Sequence, residues 1–205
     1  MMKKGILVVV SGFSGVGKGT VVKELIKRYD NYALSVSATT RPRKLNEEHG
    51  KDYFFVSREA FQQMIEEKAL IEYAVYVDHY YGTPKAFVEE MLSEGKDVIL
   101  EIEVQGANQI KKSFPDAVTV FLVPPSVEEL LSRLKNRGRE TAQEIEARVE
   151  RAKTEAQSMG DYSYLLVNDQ IEECVKELHA IVAAAHAETI RNEEMMQKLY
   201  NELQI

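Results

Sequence analysis

Ile6-Leu7-Val8-Val9-Val10-Ser11-Gly12-Phe13-Ser14-Gly15-Val16-Gly17-Lys18-Gly19-Thr20 is the run on which the fold turns. Its first five residues are aliphatic and mostly β-branched, the composition of a strand buried on both faces. After the glycine-rich turn, Val21, Val22, Leu25 and Ile26 recur at helical spacing. Gly12, Gly17 and Lys18 fit G-x-x-x-x-G-K between that strand and that helix, the context in which the motif cradles nucleotide phosphates. Glycines let backbone N–H groups turn inward with no Cβ in the way. The positive end of the helix adds to the field there. Lys18 brings a point charge for the β- and γ-phosphates of ATP. A plain strand-to-helix turn is the competing reading, and it leaves the lysine without a purpose. Where the motif has a Ser or Thr for Mg²⁺, this chain has Gly19; Thr20 is adjacent but points elsewhere on the loop. Magnesium is therefore expected to be held by ATP oxygens, waters and a distant carboxylate.

The bulk numbers narrow the classes. Apolar residues make up 44% of 205 and charged residues 29%, which is the balance of an ordinary globular protein. No run of about twenty apolar residues is present, so no membrane span is expected. The net charge of −7 argues against a nucleic-acid partner. Basic residues gather at Arg41 to Lys44 and Arg133 to Arg139, segments suited to a small polyanion. The four histidines are scattered, so no metal cluster is expected. The single cysteine, Cys174, reads as a small buried hydrophobe in a cytoplasmic protein.

Strands alternate with helices, which predicts an α/β fold with a mostly parallel sheet. Leu34 to Thr40, Tyr53 to Val56, Ile71 to Val77, Val98 to Ile102, Val118 to Val123 and Tyr164 to Val167 read as strands. Ser57 is placed to cap a helix carrying Phe61, Met64 and Ile65. Thr83 and Pro84 read as opening another helix, which Gly95 ends. Ser126 with Glu129 and Thr141 with Glu144 read as two capping boxes, with Gly138 between their helices. The short elements from Tyr53 to Tyr81 predict a small inserted α+β lobe. From Ile171 the chain is helical, and its last segment is open to three readings: a packing helix, a dimer contact or a frayed tail.

Several further runs, taken in order, resemble the guanylate kinase family up to about residue 185. They are Ser-Val-Ser-Ala-Thr-Thr-Arg (35 to 41), Gly-Lys-Asp-Tyr (50 to 53), Ile-Glu-Tyr (71 to 73) and Tyr-Tyr-Gly-Thr (80 to 83). Leu-Glu-Ile-Glu-Val-Gln-Gly (100 to 106), Arg-Gly-Arg (137 to 139) and Val-Asn-Asp (167 to 169) complete the series. The resemblance implies a P-loop NTPase-type parallel sheet flanked by helices, with an inserted GMP-binding lobe and a helical lid. The core would comprise residues 1–33, 84–125 and 165–205, the lobe 34–83 and the lid 126–164. Gly12 to Thr20 would bind ATP. Ser37, Arg41, Tyr53 and Tyr81 would hold the GMP phosphate, the Arg and hydroxyl donors a dianion needs. Glu72 would accept from guanine N1–H and the 2-amino group, Thr83 would donate to O6, and Glu103 would complete the base contacts. Adenine offers no such donor pair, and a site built for it rejects the wrong base.

The chain departs from the family pattern in places. It reads Thr-Thr-Arg-Pro-Arg-Lys, so Lys44 stands for the second phosphate arginine, or Arg43 takes that role. Phe13 replaces a small residue or proline, and Glu103 replaces the usual Asp. Thr83 is equally readable as an N-cap, and Tyr53 and Tyr81 as ordinary sheet aromatics. Glu72 is harder to dismiss: a carboxylate in an apolar strand is either at an edge or waiting for a ligand.

The resemblance implies transfer of the ATP γ-phosphoryl group to GMP, and to dGMP, with Mg²⁺ as cofactor. A monomer or a homodimer is expected, and the sequence does not choose between them. Lys18 and Arg41 would serve donor and acceptor, and Arg133, Arg137 and Arg148 would close over the phosphates. Arg139 and Arg151 read more readily as solvated residues. Glu101 is the candidate carboxylate for a Mg²⁺-bound water. The rival readings are a P-loop kinase for another nucleoside monophosphate and a non-catalytic binding module, against which an intact Gly17-Lys18 speaks. A regulatory GTPase lacks support, because Asn168-Asp169 is too short for a guanine-specificity motif.

Overall fold

The computed structural model describes residues 4–135 and 142–204, the side chains of 142–145 excepted. In chain order its elements are β1 (Leu7–Gly12), α1 (Lys18–Arg28), β2 (Tyr32–Leu34), β3 (Ala38–Thr39), β4 (Phe54–Phe55), α2 (Arg58–Glu66), β5 (Leu70–Tyr76) and β6 (His79–Pro84). There follow α3 (Lys85–Ser93), β7 (Asp97–Glu101), α4 (Val104–Ser113), β8 (Val118–Val123), α5 (Val127–Lys135), α6 (Ala142–Ala156), β9 (Tyr164–Val167), α7 (Ile171–Ala185) and α8 (Glu193–Leu203).

The main sheet has the order β2-β7-β1-β8-β9, with every pairing parallel. Parallel strands need crossovers and are covered on both faces, which is why their sequences are apolar throughout. Val8, Val9, Val10, Ile99, Phe121 and Leu122 are all fully buried. From α1 they receive Val21, Val22 and Leu25, and from α7 Cys174, Val175, Leu178 and Val182. Each such side chain contributes roughly 1.5–3 kcal/mol by leaving water.

At the end of the sheet where β1 and β7 begin, a buried carboxylate ties the chain together. Asp97 accepts from the Ile6 N–H at 2.8 Å, from Asn31 Nδ2 at 2.8 Å and pairs with His186 Nε2 at 2.9 Å. A buried carboxylate is tolerable only when so paired. Alongside, the Tyr32 hydroxyl meets His179 Nδ1, and Tyr29 stacks on the same ring. His179, within α7, and His186, its C-cap, thus tie that helix to the sheet. Beyond them, α8 forms a helix with no buried residue.

The second sheet has the order β4-β3-β6-β5, with β3–β4 parallel and the other pairs antiparallel. It differs from expectation at two places. Leu34 to Thr40 is two strands, not one. Tyr32–Leu34 pairs with β7 in the main sheet, and Ala38–Thr39 pairs with β4 and β6 in the second. Both halves alternate, so the pattern carries no sign of the change of partner at Ser35. Thr83 is not the helix cap: it lies within β6, whose last residue, Pro84, is the N-cap residue of α3, and α3 starts at Lys85 without a side-chain cap hydrogen bond. Proline is tolerated at this strand end, and Lys85 N–H bonds to the Ala69 carbonyl.

Other local signals match. Ser57 Oγ accepts from Ala60 N–H, and Ser126 Oγ accepts from Glu129 N–H. The Glu129 carboxylate, however, accepts from Arg133 Nε at 2.7 Å. Gly95 ends α3 with φ 82°. The second capping box, Thr141 with Glu144, lies outside the described residues and side chains, as does Gly138.

β5 and β6 are joined by Val77 and Asp78, both left-handed at φ 46° and 61°, between the paired Tyr76 and His79. Such a two-residue turn favours Asn-Gly, and a β-branched residue is strained there. Val77 is 70% exposed and contributes little packing. Replacing the pair by Val77→Asn and Asp78→Gly is expected to stabilise the protein by about 1 kcal/mol. Thermal unfolding of the double variant, read as a rise in Tm of roughly 2–4 °C, checks this.

Candidate active site

The loop between β1 and α1 carries left-handed glycines: Gly15 at φ 88° and Gly17, the N-cap of α1, at φ 98°. No side chain caps α1, so its first N–H groups stay available to a ligand. A Cβ on Gly17 would lie 2.7 Å from Asn168 Nδ2, so packing as well as backbone conformation demands glycine. Phe13 turns into the core, edge-on to Phe121 at 5.3 Å. Its bulk is absorbed there, away from the loop. The Lys18 ammonium donates to the carbonyls of Gly12 (2.7 Å) and Phe13 (3.3 Å). Ser14 Oγ accepts from Arg148 Nη1 at 2.9 Å, which joins α6 to the loop. Val16 is buried, and Thr20 is exposed on α1.

Two residues brace the loop from behind. Asn168 is buried at the end of β9, and its Nδ2 donates to the Val16 carbonyl at 2.8 Å. Arg133 Nη1 donates to the carbonyls of Asn168 (2.9 Å) and Val16 (3.3 Å). Sequence reasoning named Arg133 as a lid arginine and met Asn168 only within the run 167 to 169, with no bracing role given to it. Arg137 lies outside the described residues.

Gly19 stands beside a carboxylate. A Cβ on it would lie 3.3 and 3.4 Å from the two oxygens of Glu101, at the end of β7. Protein crowding around Glu101 raises its pKa, and the charges of Lys18 and Lys23 oppose that. A hard oxygen donor therefore faces the loop near the hydroxyl that this chain lacks, which suits Mg²⁺ held through water.

On the other side of the cleft, Arg41 follows β3. Its guanidinium makes a two-pronged pair with Glu47, Nη2–Oε1 at 2.8 Å and Nη1–Oε2 at 3.0 Å. It also lies 5.3 Å from the Tyr53 ring centre. Glu47, then Tyr81, raise the arginine's pKa, and Arg41 in turn lowers that of Glu47. Tyr53 and Tyr81 meet with ring centres 6.0 Å apart. Ser37 precedes β3, half-buried. Arg41, Tyr53 and Tyr81 thus meet beside the second sheet. Lys44 joins them through its backbone, which donates to Glu47 Oε2, and its side chain is exposed.

Glu72 and Thr83 are cross-strand partners of β5 and β6. Thr83 Oγ1 donates to Glu72 Oε1 at 2.6 Å, with both residues buried. The N-cap reading of Thr83 thus gives way to this bond. Burial pushes the Glu72 pKa up to about 7, against the hydrogen bonds from Thr83 that lower it. Its Oε2 presses on α4, where a Cβ on Gly106 would lie 2.2 Å away. Glu103 is the N-cap residue of that helix. Gln109, further along α4, accepts from Tyr73 N–H and donates to Tyr73 O, occupying the open edge of β5.

A phosphate-loop half and a carboxylate-lined half therefore face each other. The family model for guanylate kinase matches residues 4–185. The chain belongs to the guanylate kinase family. It is 46% identical to the guanylate kinase of Caldanaerobacter subterraneus over 98% of this chain and 97% of the relative. It is 48% identical to that of Bacillus cereus, with 98% and 97% covered, and 48% to that of Lactococcus lactis, with 91% of each. The crystal structure of guanylate kinase from Anaplasma phagocytophilum matches with a TM-score of 0.82 at 29% identity, covering 99% of this chain and 97% of that one.

The burial of Glu72 carries a cost that can be measured. Its folded pKa lies above the ordinary 4.5, so its contribution to stability is full below pH 4.5 and is lost as pH rises through about 7. The variant Glu72→Gln escapes that loss. It is expected to be more stable than the wild type at pH 8, by at most about 3 kcal/mol, with the gap closing toward pH 5. Thermal melts across that range test it.

Proposed function

We propose that this protein transfers the γ-phosphoryl group of ATP to a phosphate oxygen of GMP, giving ADP and GDP. The observation that carries the reading is the buried Glu72–Thr83 pair opposite a complete phosphate loop. A carboxylate there accepts from guanine N1–H and the 2-amino group. The Thr83 hydroxyl, whose single proton goes to Glu72 Oε1, would turn to O6 once the guanine donors take over that carboxylate. Adenine would leave the carboxylate buried and unpaired, which costs more than a weak contact would. dGMP keeps the same base edge and is taken as well.

The acceptor is already anionic, so no strong general base is required. In-line attack forms the new P–O bond while the β–γ bridging oxygen leaves with its electron pair on ADP. The residues' work is to bring two polyanions together and meet charge as it shifts. Lys18 and the N-terminus of α1 serve the triphosphate. Arg41, Tyr53, Tyr81 and Ser37 serve the GMP phosphate, with Lys44 at the rim. Glu47 shares the Arg41 fork and keeps it extended. Arg133 and Arg148 bring the lid onto the loop. Mg²⁺ bound near Glu101 would neutralise charge on the transferred group. With a single buried cysteine and no described helix long and apolar enough to cross a membrane, a cytoplasmic setting fits the nucleotide substrates.

Two measurements test this reading. ADP release followed with GMP, dGMP, AMP, UMP and CMP should show turnover with the guanine nucleotides far above the rest; a preference for AMP or a pyrimidine overturns it. Lys18→Met should lower the rate about 100-fold or more with an unchanged melting profile, and a near-normal rate removes the loop from the mechanism.

A further inference from the structure

Arg151, which reads as a solvated helix residue, is not one. It projects from α6 into the junction of all three parts of the site. Its Nε donates to Glu155 Oε1 at 2.9 Å and its Nη2 to Glu103 Oε2 at 3.2 Å. The guanidinium lies 4.1 Å from the centre of the Tyr76 ring, at the end of β5. Glu155, one turn along α6, is 5% exposed, and its Oε2 is buried without a hydrogen-bond partner among the described residues.

An exposed ion pair would stabilise little. Here one cation serves two carboxylates and stacks on an aromatic face: the pair to buried Glu155 is strengthened by desolvation, while the pair to half-exposed Glu103 is partly screened and acts by fixing that carboxylate's direction. Among the contacts described, those of Arg151 run to the base-binding side of the cleft and those of Arg148 and Arg133 to the phosphate loop. The lid thus has one arm for each substrate.

We propose that Arg151, oriented by Glu155, is a positioning residue that latches the lid to the acceptor half of the site and holds Glu103 and the Tyr76 end of β5 ready for the purine. The inference rests on the reading above that Glu103 and the lobe bind GMP. It deepens that reading by making lid closure and guanine recognition depend on one another. Removing the guanidinium frees the Glu103 carboxylate and parts the lid from β5, while Lys18 and the loop are untouched.

Calorimetric titration of wild type and Arg151→Met with GMP and, separately, with ATP and Mg²⁺ tests this. The variant should bind GMP about tenfold more weakly and ATP within twofold of wild type, with KM for GMP rising and kcat largely kept. In a Glu103→Gln background the same substitution should cost under threefold, because Arg151 acts through Glu103. Arg151→Lys, which keeps the charge but cannot span both carboxylates, should restore only part of the affinity. Equal weakening of both nucleotides, a change under twofold for GMP, or full additivity with Glu103→Gln overturns the latch.

A distance measurement separates the latch from the acceptor reading. Dyes on introduced cysteines at exposed Glu66 and Lys153 report the lobe-to-lid separation in the nucleotide-free protein. Cys174 is buried, which pushes its thiol up to about 11, so labelling stays site-specific. Arg151→Met should broaden the distance distribution. An unchanged distribution refutes the latch, whereas a narrow wild-type distribution with no GMP binding refutes the acceptor reading instead.

Discussion

Both neighbours of β1 run parallel to it, and much of the site follows from that constraint. Three strand ends open on the same edge of the sheet, so Gly12, Glu101 and the residues after Val123 emerge side by side. The phosphate loop, the carboxylate beside it and the Asn168 brace are assembled by backbone pairing before any side chain is chosen. The loop is then locked by close approach: Leu122, Glu101 and Asn168 all stand where side chains on Gly12, Gly19 and Gly17 would go.

The acceptor half is built differently. It sits on a small mixed sheet that shares no ladder with the main one, and its attachment runs through α4. Gln109 satisfies both polar groups of Tyr73 at the edge of β5. Gly106 admits the Glu72 carboxylate against the helix. The seating of the Glu72 side chain therefore depends on a residue without a side chain in a different part of the sequence. The carboxylate accepts from Thr83, and burial raises its pKa.

The main sheet was legible because buried parallel strands advertise themselves as unbroken aliphatic runs, and the glycine-lysine loop because its spacing is demanded by phosphate geometry. The roles proposed for Arg41, Tyr53 and Tyr81 rest on runs that resemble a family, since no periodicity distinguishes a tyrosine that would bind phosphate from one that merely packs. The change of sheet at Ser35 was hidden, because alternation says that a segment is a strand and not which sheet it joins. The left-handed hairpin residues Val77 and Asp78 were hidden too, lacking the glycine or asparagine that marks such turns. Asn168 was noticed only as part of a shared run, without its role as a brace, and Glu47 and Glu155 escaped notice, because each acts on a neighbour distant in sequence or hidden by the fold. Arg151 was misjudged for a related reason: charge on a helix normally means solvent, and only the packed structure places Glu103 and Tyr76 around it.

Asp97 lies at the opposite edge of the sheet from the substrate cleft, joined to Ile6, Asn31 and His186. Chemistry and anchorage are thus kept at separate ends of the same strands. The hold of the sheet on the end of α7 can therefore be loosened or tightened, by changes at Asn31 or His186, far from the strand ends that carry the phosphate loop.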